Sequence, residues 1–346
     1  IPEDPGQFVY VRDPDGIPIE FLFLPEEGNQ DMLGITGASG QVGSRIAARL
    51  ADMGLPQRLI VGDAARAPLL PLAEVAEASS YGNAVAMVRA LSGVDRLFLV
   101  SARDRFGVAH MAAKKGTPVP PYDRLREQLT AVDAAVEAGV KHIVYLSIMN
   151  AAPDATFILA HDHFHTEQYI RASGVPFTFL RACLYTDNVP HSVSAGDVMR
   201  VPAGEGRAAW VTRDDVAAAV VGALTGAGHE GHTYDVTGPE ALTMAETAER
   251  LSEAVGRKIV YQAQTPQEAR ETRSTSRLEK FEAERRMLTG HGLDEYEVDV
   301  FVTHFTQIAE GDVAQVSDAV PRLTGRPAQS LSEYLRRHPD SYSHLL

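Results

Sequence analysis

The chain has 346 residues, 32 Lys+Arg against 46 Asp+Glu, a formal net charge of −14, and is 45% hydrophobic and 23% charged. That composition belongs to ordinary globular proteins and excludes a disordered or fibrous chain, and the length allows one large domain or a large domain with an appendage. The acidic balance argues against direct nucleic-acid binding, and the longest apolar runs, such as Val216–Leu224, fall far short of the roughly 20 residues that a membrane-spanning helix needs. A single cysteine, Cys183, rules out an intrachain disulfide and points to a reducing, cytoplasmic setting. The sequence opens at Ile1 rather than Met, with no signal-peptide pattern.

Residues 1–31 read as a hairpin and a linker. Phe8–Val11 is strand-like, and Ile17, Ile19, Phe21 and Phe23 alternate at period two. Between them Asp13-Pro14-Asp15-Gly16 supplies a fixed φ at proline and access to positive φ at glycine. A lone hairpin is marginal in water, so it needs something to pack on. Pro25–Asp31 reads as the linker.

From Met32 strands and helices alternate, which predicts a parallel sheet covered by helices on both faces. Leu33–Thr36 is a short strand. Gln41–Ala51 is a helix carrying Val42, Ile46 and Leu50 on one face, and Arg58–Val61 is the second strand. Ala84–Leu91 is helical and Arg96–Val100 is a buried strand. Residues 103–121 form a loop rich in Lys, Gly and Pro. A long amphipathic helix carries Leu125, Leu129, Val132 and Val136 and ends at Gly139. His142–Leu146 is the next strand, a helix covers about residues 162–172, and Phe177–Leu180 is a further strand. The last third reads as mainly helical, with a strand returning near 233–237. Thr243/Glu246, Thr265/Glu268 and Ser330/Glu333 each fit a capping box. The charged stretch 266–288 reads as a solvated helix face.

Gly37-Ala38-Ser39-Gly40-Gln41-Val42-Gly43 follows a strand and opens a helix. Gly37 permits the tight turn, Gly40 lets backbone amides approach a pyrophosphate, and Gly43 lets the helix pack close to the sheet. The free amides and dipole at the helix start complement the anion. At the end of the second strand an acid would hold a ribose 2′-OH and an arginine a 2′-phosphate. Gly62-Asp63-Ala64-Ala65-Arg66 contains both, so NAD and NADP remain open there.

Several segments resemble the NmrA-like atypical short-chain dehydrogenase/reductases: Thr36–Gly43, Gly93–Ser101, Ala138–Ser147, Thr166–Gly174, Phe179–Arg181, Arg213–Ala217 and Asp235–Thr243. The resemblance runs in order over about residues 32–340. It implies a Rossmann-like doubly wound α/β sheet, about residues 32–183, with a smaller, mainly helical C-terminal lobe, mainly 184–346. It also implies NAD(P)H binding, with NADPH slightly favoured. The implied activity is like that of NAD(P)H:quinone or triphenylmethane-dye reductases, or else a non-catalytic dinucleotide sensor acting through a protein partner. Relatives often carry arginine where this chain has Gly62, which weakens the case for NADP. Residues 1–28 resemble the last strands of a glyoxalase-type domain, in which Glu20 would be a metal ligand. One ligand makes no site, so no metal is expected.

None of the eleven tyrosines is followed four residues later by lysine, the pair that protonates an alkoxide in ordinary short-chain dehydrogenases. Reduction of a quinone or a cationic dye needs no such strong acid, since a hydroquinone ionises near pH ~10. The absence therefore points to flat, electron-poor small molecules as substrates, and homodimer formation is left open. Ligands of open α/β sheets bind beyond the C-terminal strand ends. The expected cofactor contacts are thus Gly37, Ser39, Gly40, Gln41, Val42, Gly43, Gly62, Asp63, Arg66, Val100, Ser101, Ala102 and Ser147. The candidate catalytic residues are Ser147, His163, His165 and Tyr185. Of the run His161–His165, only His161 and His165 share a helical face, which does not make a zinc site.

Overall fold

The computed structural model describes residues 31–102, 123–276 and 295–346, together with two strands nearer the start. The turn at 13–16, most of the linker, the loop 103–121, the side chain of Glu20 and the charged stretch beyond Ser276 lie outside the described residues. The chain divides into two compact units, Ile1–Asp31 and Met32–Leu346. In the first, β1 (Phe8–Arg12) and β2 (Pro18–Leu22) pair antiparallel, with Phe8 opposite Leu22 and Arg12 opposite Pro18.

The second unit is built on a seven-stranded sheet. Its strands are β3 (Leu33–Thr36), β4 (Gln57–Val61), β5 (Ala73–Glu77), β6 (Arg96–Val100), β7 (His142–Ile148), β8 (Phe177–Ala182) and β12 (Thr233–Val236). Their spatial order is β12-β8-β7-β6-β3-β4-β5, and every pairing is parallel. The inner strands are near-continuous apolar runs because both faces are covered. Ile35, Leu59, Leu97, Phe98, Leu99, Ile143, Val144 and Phe179 are all fully buried. One face packs on α1 (Gly43–Asp52) and α5 (Arg213–Thr225), the other on α2 (Ala84–Leu91), α3 (Arg124–Glu137) and α4 (Ile158–Ser173).

The sequence reading holds for most of these elements and differs at three. Helix α1 starts at Gly43 rather than Gln41, because Gln41 and Val42 belong to the turn that delivers the glycines. Helix α4 starts four residues earlier than the expected 162, behind Phe157, which is buried at the helix entry. Strand β5 was not anticipated. It is the sheet edge, and its Ala-Glu-Val-Ala-Glu sequence has the charged, weakly apolar character that discourages pairing with another chain.

The C-terminal portion is less purely helical than expected. It contains β9 (Val193–Ser194), β10 (Val198–Val201) and β14 (Val260–Ala263) in a three-stranded sheet, and β11 (Arg207–Ala208) paired with β13 (Leu242–Thr243). Its helices are α6 (Met244–Val255), α7 (Pro266–Ser276), α8 (Glu295–Ala309), α9 (Ala319–Thr324) and α10 (Leu331–Arg337). Thr243 and Glu246 form the reciprocal capping box, and so do Thr265 and Glu268. Ser330 accepts from the Glu333 amide. Among the described residues no helix is long and apolar enough to cross a membrane.

Candidate active site

The sheet order reverses between β3 and β6, and there a cleft of about 1110 Å³ opens beyond the strand ends. Thr36 stitches the two strands at that point. Its hydroxyl donates to the Phe98 carbonyl at 3.0 Å and accepts from the Val100 amide at 2.9 Å. The chain then turns sharply at Gly37, whose φ of +61° is left-handed and whose added Cβ would lie 2.7 Å from Val100 Cγ1. At Gly43 a Cβ would lie 2.3 Å from the Gly37 carbonyl oxygen, so nothing larger than hydrogen fits where the helix meets the turn.

Helix α1 has no side-chain cap at Val42. Among the described residues the amides of Gln41 and Val42 make no intrachain hydrogen bond, so bare donors and the positive end of the helix dipole face the cleft. These features fit a pyrophosphate. Asp63 lines the same cleft at the end of β4, accepts from the Ala65 amide at 3.1 Å, and caps the short 3₁₀ turn that carries Arg66.

The structure brings almost all of the expected residues to this one cleft. Gly37, Ser39, Gly40, Gln41, Val42, Gly43, Gly62, Asp63, Arg66, Val100, Ser101, Ala102, Ser147, His163 and Tyr185 all line it. His165 does not. It lies on a shallow groove between α3 and α4 with Leu125, Leu129 and Tyr169, because it falls on another side of α4 from His163.

Sequence reasoning missed the segment Ser79–Gly82 after β5, Arg124 and Glu127 from α3, Phe157 and Leu159 at the head of α4, and Val300 and His304 from α8. With β5 unseen, the loop it feeds was invisible. Glu127 accepts from Ser80 Oγ at 2.6 Å, which joins α3 to that loop.

Two buried polar chains hold the inner end of the cleft. In the first, Ser147 Oγ donates to Glu167 Oε1 at 2.6 Å, and Arg181 grips the same carboxylate with Nε at 2.8 Å and a terminal nitrogen at 2.6 Å. Glu167 is fully buried, and its hydrogen bonds raise the Arg181 pKa above the ordinary value. Burial raises the neighbouring Asp235 carboxyl, against the opposing pull of Arg181. Ser147 has its proton committed to Glu167 and presents lone pairs to the cleft.

In the second chain Arg124 donates to the Ala102 carbonyl at 3.1 Å, to Asp162 at 2.8 Å and to His163 Nε2 at 3.0 Å. Arginine can only donate, so Nε2 is the bare nitrogen and the proton sits on Nδ1. That proton goes to the Tyr145 oxygen at 2.9 Å, and the Tyr145 hydroxyl donates to Gln128 at 2.7 Å. Burial, reinforced by the Arg124 charge, holds His163 well below the ordinary imidazole range. His163 is thus a neutral ring with both nitrogens engaged. It positions Arg124 and has no proton to give a ligand.

Toward the C-terminal portion the cleft is lined by Ile148, Phe157, Leu159 and Val300, an apolar slot. Tyr185 enters from the segment that follows β8, with Arg213 stacked over its ring at 4.7 Å and bonded to Asn188 at 2.8 Å. Burial pushes the Tyr185 phenol up to about 12, so it stays protonated at neutral pH. Cys183, also pushed up to about 12 by burial, is an unreactive thiol.

A doubly wound parallel sheet, a glycine turn opening onto an uncapped helix and an apolar slot beside it define a Rossmann-type dinucleotide-binding protein. The chain belongs to the NmrA-like family, which it matches over residues 29–300. It is 30% identical over 315 residues to an NAD(P)H azoreductase of Xenophilus azovorans, spanning 90% of this chain and 99% of that one. Among solved structures it is similar to the NADPH-dependent quinone oxidoreductase QOR2 of Escherichia coli in complex with NADPH, with TM-score 0.73, 27% identity, and 88% and 99% of the two chains covered. It is also similar to the Citrobacter sp. triphenylmethane reductase complexed with NADP(H), with TM-score 0.68, 28% identity, and 89% and 99% covered.

Proposed function

We propose that the chain is an NAD(P)H-dependent reductase that passes hydride to a quinone or a similar electron-poor flat compound. The observation that carries this reading is the adjacency, in one cleft, of the bare-amide glycine turn and the apolar slot. Full-length similarity to reductases of quinones, azo compounds and triphenylmethane dyes supports it. At about 1110 Å³ the cleft exceeds the ~300–1,000 Å³ of a typical single-ligand pocket, which leaves room for a dinucleotide and a second small molecule.

When bound, the reduced nicotinamide supplies the hydride. The chain supplies binding and orientation. The Gln41 and Val42 amides would hold the diphosphate, and Asp63 and Arg66, at the end of β4, would meet the adenosine ribose. Ser147, its proton held by Glu167, accepts from an N–H or O–H at the nicotinamide end. The Arg124 guanidinium, fixed by three partners, brings a positive charge to the cleft wall, which would favour an acceptor that gains electron density there. Ile148, Phe157, Leu159 and Val300 exclude water and favour a flat apolar substrate.

The test is calorimetric titration with NADH and with NADPH, followed by loss of reduced-cofactor absorbance on adding a benzoquinone. Binding with turnover is expected, and Gly43→Ala, which forces the Gly37 carbonyl aside, should weaken nucleotide binding at least tenfold. A chain that ignores both nucleotides, or binds them without consuming them across quinones, azo compounds and dyes, overturns the proposal.

A further inference from the structure

The polar side chains at the inner end of the cleft can be sorted by whether their donors are already used. Ser147 gives its proton to Glu167, Arg124 is spread over Ala102, Asp162 and His163, and both His163 nitrogens are occupied. His304 is different. It lines the cleft from α8, four residues after Val300 and so on the same helical face, and among the described residues its ring nitrogens make no hydrogen bond.

The ring is nevertheless fixed in place. It lies edge-to-face with Phe157, centroids 5.4 Å apart at 79°, and with Phe305, 5.0 Å apart at 80°. A polar group clamped by two aromatic rings in an apolar slot, with no internal partner, has its hydrogen bonding reserved for whatever enters.

Resting on the reductase reading above, we infer that His304 is a specificity-determining residue. Its neutral imidazole N–H hydrogen-bonds an acceptor atom on the substrate, a carbonyl oxygen or an azo nitrogen, and so sets which end of the flat molecule meets the hydride donor. Desolvation lowers this ring to about 4, so it is uncharged across the physiological range and does not repel a cationic cofactor product. For a quinone the balance is one hydride from the reduced nicotinamide and one proton from solvent. His304 keeps its own proton, and its hydrogen bond strengthens as charge develops on the acceptor oxygen. A triarylmethyl cation has no such acceptor, takes hydride at carbon, and needs nothing from His304.

The two acceptor classes therefore separate the role of the hydrogen bond from the role of the ring as packing. Wild-type protein, His304→Phe and His304→Gln are assayed with a benzoquinone and with a cationic triphenylmethane dye, alongside nucleotide titration of each. The expected result is a loss of about tenfold in kcat/KM for the quinone in H304F, of the size of one hydrogen bond to substrate. Dye reduction and nucleotide affinity should stay within about twofold, and H304Q should regain most of the quinone activity. Equal loss with both acceptors, no loss with either, or no rescue by glutamine overturns the inference while leaving the reductase reading intact. Failure of the wild-type protein to reduce either acceptor overturns the reductase reading and this inference with it.

Discussion

Gly62 stands where the cofactor ribose would be read, and the space around it is open. A Cβ there would meet nothing closer than the Ser79 carbonyl at 3.6 Å, and its φ is not left-handed. An arginine at this position would be accommodated without strain, next to Asp63 and Arg66. Gly62→Arg should therefore raise the preference for NADPH over NADH by about tenfold, the worth of one charge-assisted contact to a 2′-phosphate. The ratio of the two dissociation constants measures it, and an unchanged ratio would mean that the ribose edge lies elsewhere. At this scale legibility in the sequence was uneven. Gly37, Gly40 and Gly43 are readable because glycine at fixed spacing answers a backbone demand. His163 reads as a candidate catalytic residue because an imidazole in a sequence carries no record of its partners, and Arg124 and Tyr145 are 39 and 18 residues away. His304 had a signal that went unused, a lone histidine on the face that Val300 shares within a largely apolar helix.

Among the elements, β7, α4 and β8 are bound by one carboxylate. Glu167 on α4 holds Ser147 on β7 and Arg181 on β8, and the Arg181 side chain also reaches the Ala151 carbonyl at 3.3 Å. Removing the acid strands a partly buried guanidinium and leaves the serine proton without an acceptor. Breaking a fully buried pair costs about 3–5 kcal/mol. Because a quarter of the Arg181 side chain is open to water, Glu167→Ala should cost less, about 2–3 kcal/mol, in urea unfolding. Removing Arg181 as well, in E167A/R181M, should cost little beyond that, since the unpaired charge is gone. Strictly additive losses would contradict the pairing. The inner strands around this clamp were legible as apolar runs because both sheet faces are covered. Strand β5 was not, because an edge strand is selected for charge as much as for burial, and its Glu74 and Glu77 interrupt the pattern.

For the whole molecule the buried imidazoles set an acid limit. His142, His163 and His304 are all held below the ordinary value, each mainly by burial. In the unfolded chain these rings take a proton near pH ~6.5, whereas His304 in the fold takes one only at about 4. Between those values the unfolded state binds more protons. The stabilisation is therefore complete above about pH 6.5 and is lost as the pH falls, by up to about 1.4 kcal/mol per pH unit for each such ring. Urea midpoints should fall steadily from pH 6.5 to 4.5, and H304F should fall less steeply than wild type. Parallel slopes would show that the His304 ring is charged in the fold.

The placement of β12 ties the large sheet to the C-terminal portion. The polypeptide leaves the large sheet after β8, builds β9 to β11, returns as α5 and β12, and departs again for β13. Three separate crossings therefore sew the two regions together. For the same reason a fragment cut after Leu184 would strip β8 of its neighbour and leave a bare, sticky sheet margin, not a smaller working protein.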